Sequence, residues 1–354
     1  MTPNYTCPLD ELRRSDSTAF GGKSAGLGEL LSAGLQVPSG FAISAGAFAV
    51  FIEETGLAGT IAAALARVSP GNLDTIDAAS KTIGEAMRFA PLPDDLRAEV
   101  VARYDALAGA TADERPPVAV RSSALGEDSE EASYAGQQET FLWVRGSEQV
   151  CDAVRDCWAS LYTPHAISYR AALRGDAETA MGVAVQLMVD AEVSGVLFTC
   201  NPVTGDPSTV AVNASWGLGI AVVSGELTPD EYLVSKVTGE VVRRTVSEKG
   251  VEYVPDAGGR GTVRRKVPVE RHNEPCLGEA ELSALVDLAR RIEQHYGGHQ
   301  DVEWALARAK QLPESLVVLQ SRPVTTVPER GPTEAASAIA LVMSKFGAGE
   351  KPSS

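Results

Sequence analysis

The chain has 354 residues, of which 44% are hydrophobic and 22% are charged, and its formal net charge is -16 at pH 7. A single hydrophobic core stops growing at roughly 250–300 residues, so this length predicts two or three packed lobes. The acidic balance repels polyanions, and the sequence has no basic stripe with interleaved aromatic residues, which excludes nucleic acid as an expected partner.

The apolar runs are short compared with a membrane span. Phe41 to Ile52 is interrupted by Ser and Gly and falls below the roughly 20 residues that cross a bilayer. The N-terminus also lacks the basic start and apolar stretch of an export signal. We therefore expect no membrane segment and a location in the cytoplasm. There the five widely spaced cysteines, none in a CxxC pair, would be reduced packing residues.

Helices are predicted over most of the first 110 or so residues. Lys23 to Ala33 has helical spacing of its leucines and is followed by Gly34, which suits a helix C-terminus. Ser44 is a candidate N-cap for a helix that runs towards Gly56. Asp94 lies at the start of another helix that extends through residue 107.

Strands become frequent in the rest of the chain. Predicted strands cover residues 118–121, 183–189, 193–199, 209–214, 231–235 and 241–246, with helices over 150–162 and 279–296. Asp301 to Leu306 and Leu316 to Arg322 form a predicted antiparallel hairpin. We assign residues 1–188 to an N-terminal lobe, 189–327 to a sheet-rich C-terminal lobe and 328–354 to a flexible tail.

Side-chain direction alternates along the two strands of this hairpin. Asp301 and Glu303 therefore share a face, as do Gln320 and Arg322, and the opposite face is expected to carry Val302, Trp304, Leu319 and Ser321. A register that sets Glu303 near Gln320 would offer a carboxylate, an amide oxygen and a guanidinium together. This set suits Mg²⁺ held against phosphate. A solvated strand face with cross-strand ion pairs is the alternative.

A glycine-rich turn precedes the first predicted helix. In Phe20-Gly21-Gly22-Lys23-Ser24, the helix amide groups favour an anion, glycine permits its close approach, and Lys23 would add positive charge. Position 17 is Ser where the Walker A pattern requires glycine, so the segment is not a P-loop. A plain glycine turn with an exposed lysine is the alternative.

Two further segments are candidate ligand contacts. Arg121 ends an apolar strand, and the loop that follows could close backbone amides over phosphates at Gly136, with a hydroxyl from Thr140. Gln186 to Val189, on the predicted link between the lobes, could bind an adenine through backbone groups and apolar walls. The alternatives are a local ion pair for Arg121, an ordinary surface turn for the loop that follows it, and a core strand for Gln186 to Val189.

Other catalytic and cofactor motifs are excluded. Gly217-Leu218-Gly219 is followed by Val222 where a dinucleotide fingerprint needs a third glycine. The four histidines are scattered and form no metal-binding or Ser/His/Asp arrangement. We therefore expect no histidine-based site within the chain.

A collinear series of segments resembles the PEP/pyruvate-binding, ATP-grasp domain of the phosphoenolpyruvate synthase and pyruvate phosphate dikinase family, which is also similar to that of rifampicin phosphotransferases. The resemblance runs from about Phe20 to Pro323. Its segments are GGKSAGLGELLSAGLQVPSGFAI, VAVRSSALGEDSEEASYAGQQETFL, VAVQLMV, SGVLFTCNPVTGD, WGLGIAVVSGELTPDEY, QDVEWAL and LQSRPV.

The resemblance implies an α+β or α/β chain with the ATP-grasp fold, in which two lobes bind MgATP in the cleft between them. It also implies roles for individual residues. Phosphate binding falls to Lys23, Arg121, Gly136, Thr140 and Arg322, adenine binding to Gln186 and its neighbours through Met188, and Mg²⁺ binding to Glu303 and Gln320. Lys23, Arg121 and Arg322 would be the catalytic cations.

In this family, the domain passes a pyrophosphoryl group from MgATP to a histidine on a swivelling domain and releases AMP. The present sequence has no Thr-Ser-His-Ala-type phosphohistidine segment. The resemblance therefore implies an ATP-binding catalytic subunit that acts on a separate phosphohistidine-domain protein, for phosphorylation of a small molecule. Split systems such as phenylphosphate synthase are similar.

Two departures from the family pattern leave other functions open. Ile220 stands where the family often has Glu, and Pro207 stands where a basic residue is common. One alternative is a stand-alone ATP-grasp kinase or ligase that acts directly on a small acceptor. Another is a non-catalytic module that binds a nucleotide for regulation.

Overall fold

The computed structural model describes residues 4–125, 139–173, 180–223, 225–256, 258 and 261–324. These residues divide into two compact units. The first contains the described residues of Met1–Glu29, Ser39–Met188 and Gly259–Gly261, and the second those of Leu30–Pro38, Val189–Gly258 and Thr262–Ser354. The mixture of helices and antiparallel sheets agrees with the predicted α+β class. The predicted tail, 328–354, lies outside the described residues.

The first unit combines helices with a five-stranded sheet. The elements from Thr6 to Leu187 are β1 (Thr6–Pro8), α1 (Ser17–Phe20), α2 (Gly22–Ser32), β2 (Gly40–Ile43), α3 (Ala45–Glu54), α4 (Leu57–Leu65), α5 (Leu73–Phe89), α6 (Asp94–Gly109), β3 (Val118–Ala124), β4 (Thr140–Val144), α7 (Ser147–Ala159), α8 (Pro164–Leu173) and β5 (Met181–Leu187). The strand order is β1-β2-β5-β3-β4. Each neighbouring pair is antiparallel.

Local sequence signals account for several helix ends. The Ser44 side chain accepts a hydrogen bond from the Ala47 amide at 3.2 Å and caps α3, as predicted. Gly34 follows α2 with a φ of 69°, in the left-handed region that glycine adopts easily. The sequence analysis did not identify α4 and α5, although Asn72 caps α5 through the Thr75 amide in the same way.

The hydrophobic core of the first unit lies between its helices and one face of the sheet. Val120 on β3 and Val185 on β5 are fully buried there. The Trp158 ring of α7 stacks on Phe51 of α3 at 5.1 Å, and its Nε1 donates to the Met181 carbonyl oxygen at 3.2 Å. Strand alternation directs the intervening residues of β3 and β5 to the other face.

The second unit is built on a six-stranded antiparallel sheet. Its elements are β6 (Ala191–Phe198), β7 (Thr209–Trp216), α9 (Ile220–Val223), β8 (Asp230–Ser235), β9 (Val241–Thr245), β10 (Val251–Pro255), β11 (Thr262–Lys266), α10 (Glu279–Tyr296), β12 (Gln300–Ala307) and β13 (Leu316–Pro323). The strand order is β13-β12-β6-β7-β8-β9, and β10 pairs only with β11 as a hairpin among the described strands. The predicted helix over 279–296 and the terminal hairpin are confirmed.

One face of this sheet is covered by the segment that leads into α10. The register places Trp304, Gly195 and Asp230 in one cross-strand row. A Cβ at Gly195 would come 2.9 Å from Cζ2 of Trp304, so glycine leaves room for the buried indole. The amide of Cys276, just before α10, donates to Asp230 at 2.8 Å. This face is therefore the structural side of the sheet.

A buried ion pair stabilises that side. Lys249 Nζ lies 2.5 Å from Asp230 Oδ1, and both side chains are fully buried. Asp230 also accepts hydrogen bonds from the amides of Ser247 and Cys276. Because a buried charge is costly without partners, this network of bonds is what makes the pair tolerable in the interior.

Among the described residues, no single helix is long and apolar enough to cross a bilayer. α3 and α4 pass that test only together, and their axes are bent by 92°.

Candidate functional site

Three of the predicted site residues project from one face of the first sheet. Arg121 on β3 is the Cα partner of Thr140 on β4 and of Ala184 on β5. Gln186 follows Ala184 by two positions and therefore lies on the same face. Because this face is opposite to the hydrophobic core, Arg121, Thr140 and Gln186 share one surface of the first unit.

The turn before α2 packs tightly against this face. Gly21 has a φ of 82°, and a Cβ there would come 2.1 Å from the carbonyl oxygen of Ser123. A Cβ at Gly182 would come 2.3 Å from the carbonyl oxygen of Phe20. The Ser24 amide donates to Ser123 Oγ at 3.1 Å. Any side chain at either glycine would push the turn away, so these glycines allow it to lie on β3 and β5.

Lys23 is in the first turn of α2, beside the Ser24 amide that is bonded to β3. The residue is largely buried. Ser123 and Arg121 are two positions apart and lie on the same face of β3. The structure thus brings the backbone of Lys23 and Arg121 to the same region of the first sheet, which supports their predicted grouping.

The segment predicted to bind adenine is the end of β5 and the residue after it. Gln186 is buried. The amide of Leu187 donates to the Ser39 carbonyl at 2.8 Å, and the amide of Met188 donates to the Pro117 carbonyl at 2.9 Å. Both amides are thus used within the first unit. Recognition of an adenine here would depend on carbonyl oxygens and side chains.

The predicted phosphate loop lies only partly within the residues that the structure describes. Gly136 lies outside the described residues. Thr140 is exposed and is the first residue of β4, opposite Arg121. The two residues therefore share a face of the first sheet.

The remaining predicted residues lie together on the terminal hairpin of the second unit. Glu303 on β12 is the Cα partner of Gln320 on β13, and Asp301 is the partner of Arg322. This is the register that the sequence analysis required. Arg322 Nη2 lies 3.5 Å from Glu303 Oε1. The structure therefore brings Glu303, Gln320 and Arg322 onto one face of the sheet.

A β-bulge corrects one detail of the predicted hairpin. The register shifts between Glu303 and Trp304, so the Cα partner of Trp304 is Val318. Leu319 was expected on the face of Trp304, but it is Val318 that is buried opposite the indole. Leu319 is the extra residue of the bulge and has no Cα partner on β12, so the alternation of side chains between the two faces is interrupted there. The polar pairs before the bulge are unaffected.

The hairpin fits a metal ion that arrives with a nucleotide. Within the described part of the chain, no group of three or more His, Cys, Asp and Glu side chains could hold a metal ion. Mg²⁺ in phosphate-transfer sites is usually bound by one or two protein oxygens, with phosphate and water completing the octahedron. Glu303 and Gln320, which are Cα partners on one face, offer one carboxylate and one amide oxygen of the kind that such a site uses. The described residues thus fit MgATP better than a resident metal.

The cysteines do not supply a nucleophile to either region. Cys7 is half-buried and the other four are buried, and all are free thiols. Burial raises the pKa of Cys151 and of Cys200 to about 11. Because the thiolate is the reactive form, these two thiols are protonated and inert near neutral pH.

Comparison with known families decides the identity of the domain. Residues 17–341 match a family described as the pyruvate phosphate dikinase, AMP/ATP-binding domain. The chain belongs to this family. The predicted resemblance is therefore confirmed, and the ATP prediction agrees with the ligand in the description of this AMP/ATP-binding domain.

Curated relatives carry the name phosphoenolpyruvate synthase. A probable phosphoenolpyruvate synthase of Methanothermobacter thermautotrophicus is 41% identical over 326 residues, which cover 92% of this chain and 46% of the relative. The phosphoenolpyruvate synthase of Aeropyrum pernix is 40% identical, with 90% of this chain and 42% of the relative covered. That of Pyrococcus furiosus is 38% identical, with 94% and 45% covered. The AMP/ATP-binding domain thus spans less than half the length of these relatives.

Two polar residues near these surfaces were missed by the sequence analysis. Ser123 was given no role in holding the turn of Lys23, yet its hydroxyl accepts a hydrogen bond from the Ser24 amide in that turn. Asn213 was not considered, although it lies on the same face of the second sheet as Glu303. The available signal was an amide within the otherwise apolar run Val210–Ala214 of a fully buried strand.

Proposed function

We propose that this AMP/ATP-binding domain is the ATP-binding catalytic subunit of a phosphoenolpyruvate synthase-like phosphotransferase. It would transfer a pyrophosphoryl group from MgATP to a histidine on a separate partner protein, with release of AMP, for phosphorylation of a small molecule. The observation that carries the proposal is the grouping of Glu303, Gln320 and Arg322 on one sheet face of an AMP/ATP-binding domain. The names of the relatives supply the reaction class.

In this proposal the two units are the two lobes of an ATP-grasp fold, and MgATP binds in the cleft between them. Lys23, Arg121 and the loop that contains Gly136 and Thr140 would bind phosphates. The end of β5, from Gln186 to Met188, would contact the adenine. What supports this assignment is the shared face of Arg121, Thr140 and Gln186 and the anchoring of the Lys23 turn on β3.

The hairpin would bind the metal end of the nucleotide. Glu303 and Gln320 would hold Mg²⁺, which neutralises phosphate charge and orients the phosphates. Arg322 suits a direct contact with a phosphate oxygen, since a guanidinium binds oxyanions in a bidentate manner. Arg322 Nη2 also lies 3.5 Å from Glu303 Oε1, so the guanidinium balances the charge of that carboxylate.

The transfer itself requires positioning more than covalent chemistry from this chain. A histidine nitrogen of the partner would form a bond to the β-phosphorus, and the bond from that phosphorus to the oxygen bridging to the α-phosphate would break. AMP would leave with that oxygen. Lys23, Arg121 and Arg322 would stabilise the charge that develops on the transferred phosphates. The small-molecule acceptor and the cytoplasmic location remain predictions.

Product analysis tests this proposal. The purified chain is incubated with MgATP labelled in the β-phosphate, with and without a candidate protein that carries a phosphohistidine segment. We expect AMP and acid-labile label on the partner, only when both proteins are present. Arg322→Ala should abolish the labelling, whereas Arg308→Ala, on the same hairpin near Asp190, should leave it unchanged.

Other products would select the alternative functions. ADP formed without any partner would identify a stand-alone kinase or ligase that acts on a small acceptor. MgATP binding without turnover, with every histidine-bearing candidate tested, would favour a non-catalytic nucleotide-binding module. The departures from the family pattern at Ile220 and Pro207 are consistent with such a module.

A further inference from the structure

Asn213 is a buried polar residue in a strand that is buried along its whole length. It lies in β7, and its exposed fraction is 2%. Its Nδ2 has no hydrogen-bond partner among the described residues. Buried side-chain amides are almost always hydrogen-bonded, and each exception requires an explanation.

Keeping such a group is costly for the folded protein. A buried donor without a partner loses its bonds to water and gains nothing in return, and the penalty is typically about 1–3 kcal/mol. A leucine at this position would fill a similar volume without that penalty. The cost is offset if a ligand supplies the missing acceptor when it binds.

The sheet register shows where such a ligand would lie. Asn213 is the Cα partner of Val196 on β6, and Val196 is the partner of Glu303 on β12. Paired residues on antiparallel strands share a face, so Asn213 lies in the same row as Glu303 and Gln320. Two strand spacings separate the Cα atoms of Asn213 and Glu303, or roughly 10 Å.

Charged residues lie near the carboxamide on this face. Glu231 on β8 is the Cα partner of Asn213, and the next row along the strands contains Arg322 and Asp301, followed by Phe198, Ala211 and Leu233. Phe198 and Ala211 form a small hydrophobic cluster with Val196. An amide N–H donor in the row of Glu231 and Glu303 is suited to an oxygen of a phosphate chain that is held, with its divalent cation, at Glu303 and Arg322.

We propose that Asn213 is a further nucleotide-binding residue, which donates a hydrogen bond from its carboxamide to a phosphate oxygen of MgATP. This inference rests on the proposed function, since it uses the same nucleotide. It assigns to β7 a specificity contact that neither the sequence motifs nor the family description contains. It also explains why a fully buried strand retains an amide.

Two substitutions separate a ligand contact from a structural role. Asn213→Leu removes the unpaired amide, so we expect the thermal stability measured without nucleotide to be equal or higher. We expect its affinity for MgATP to fall by about ten- to a hundredfold, which is the loss typical of a hydrogen bond to a charged group. Asn213→Asp keeps the shape and adds negative charge. It should weaken MgATP at least as much.

A matched control comes from the same strand and face. Ser215 is 1% exposed, and its Oγ also has no partner among the described residues. It is two positions from Asn213 on the side away from the Arg322 row. Ser215→Ala should therefore raise or preserve stability like Asn213→Leu, but leave MgATP affinity unchanged. An equal loss of affinity in both variants would overturn the proposal.

The readouts are isothermal titration calorimetry with MgATP and with adenosine, and thermal unfolding without ligand. A lower melting temperature for Asn213→Leu would indicate a structural partner and overturn the proposal. Tighter MgATP binding by Asn213→Asp would assign the side chain to the metal instead, and an equal loss of adenosine affinity would assign it to the nucleoside.

Failure of the wild-type protein to bind MgATP would refute the proposed function. Normal binding by wild type and by all Asn213 variants would refute only the present inference.

Discussion

The two sheets of the protein organise their polar faces differently. On the first sheet, the chain's own turn around Gly21 lies on the face of Arg121, and its backbone is bonded to Ser123. On the second sheet, Nδ2 of Asn213 is buried in the row of Glu303 and has no partner among the described residues. The first face is shaped by internal contacts, whereas the second has a buried amide donor whose partner we propose to be a ligand.

The two faces also differ in charge, and this difference indicates a division of roles. The groups assigned to the first are cationic, Lys23 and Arg121, which suits bare phosphate oxygens. The second has the carboxylate of Glu303 next to the guanidinium of Arg322, which suits phosphate that carries a divalent cation. The following predictions test this division, from the largest expected effect to the smallest.

The largest effect is expected on the structural side of the second sheet. Lys249→Ala should destabilise the protein by about 3–5 kcal/mol, because it leaves Asp230 charged and buried without its cation. Urea denaturation measures the free energy of unfolding. Arg97→Ala is the control, since the paired side chains of Arg97 and Glu148 are 48% and 68% exposed and the loss of their contact should cost about 1 kcal/mol or less. Similar losses in the two variants would contradict the prediction.

The next effect should appear in nucleotide affinity through the first sheet. Arg121→Ala should weaken MgATP binding by about a hundredfold, since a charge-assisted contact with phosphate is lost. Calorimetry measures this loss. Arg103→Ala is the control in the same unit: Arg103 lies on α6, and its Nε donates to Thr6. Affinity that is unchanged in Arg121→Ala would remove this face from the site.

A smaller and more specific effect should come from the second sheet. Glu303→Gln keeps the size of the side chain and removes its charge, so we expect a roughly tenfold higher Mg²⁺ concentration for half-maximal ATP binding. The affinity for metal-free ATP should be equal or higher. Glu240→Gln, in the turn before β9, is the control. A loss of ATP affinity that does not depend on Mg²⁺ would contradict the metal assignment.

The smallest effect concerns acid stability. The Arg115 amide and then the Arg145 side chain donate to Asp113 and hold the pKa of its carboxyl below the usual value. A lowered pKa in the folded state gives stability above the unfolded pKa, near 3.9, that is lost as pH falls through the folded value. Asp113→Asn should therefore lose under about 1 kcal/mol at pH 7, since the side chain is 45% exposed, and nothing at the lowest pH. Urea denaturation at several pH values measures the difference. A difference that grows on acidification would contradict the assignment.

The sequence predicted the elements whose signals are local. The terminal hairpin and the residues that share a face followed from strand alternation, whereas the register that pairs Glu303 with Gln320 was a condition that the structure meets. The helix over Glu279–Tyr296 followed from its amphipathic pattern and from Gly297, whose φ is 68°. The bulge at Leu319 was not predictable, because an extra residue in the apolar run of β13 leaves no recognisable pattern in the sequence.

Contacts between segments that are distant in the sequence could not be predicted from local sequence patterns. The fit of Gly21 against Ser123 depends on how α2 packs on β3, and no spacing rule describes it. The isolation of the Asn213 amide is likewise a property of the packed sheet, since the same residue in an edge strand would bond to water. The residues of the candidate site that share a strand face could thus be predicted from the sequence. The contacts and missing hydrogen bonds that depend on packing between distant segments could not.

The central proposal is that Arg121 on the first sheet and Glu303 on the second act on one molecule of MgATP. Calorimetric titration of the wild-type chain, both single variants and the double variant Arg121→Ala/Glu303→Gln tests it most directly. The account predicts one MgATP per chain and a single binding event that each substitution weakens. Two independent binding events, each lost in a different variant, would contradict it.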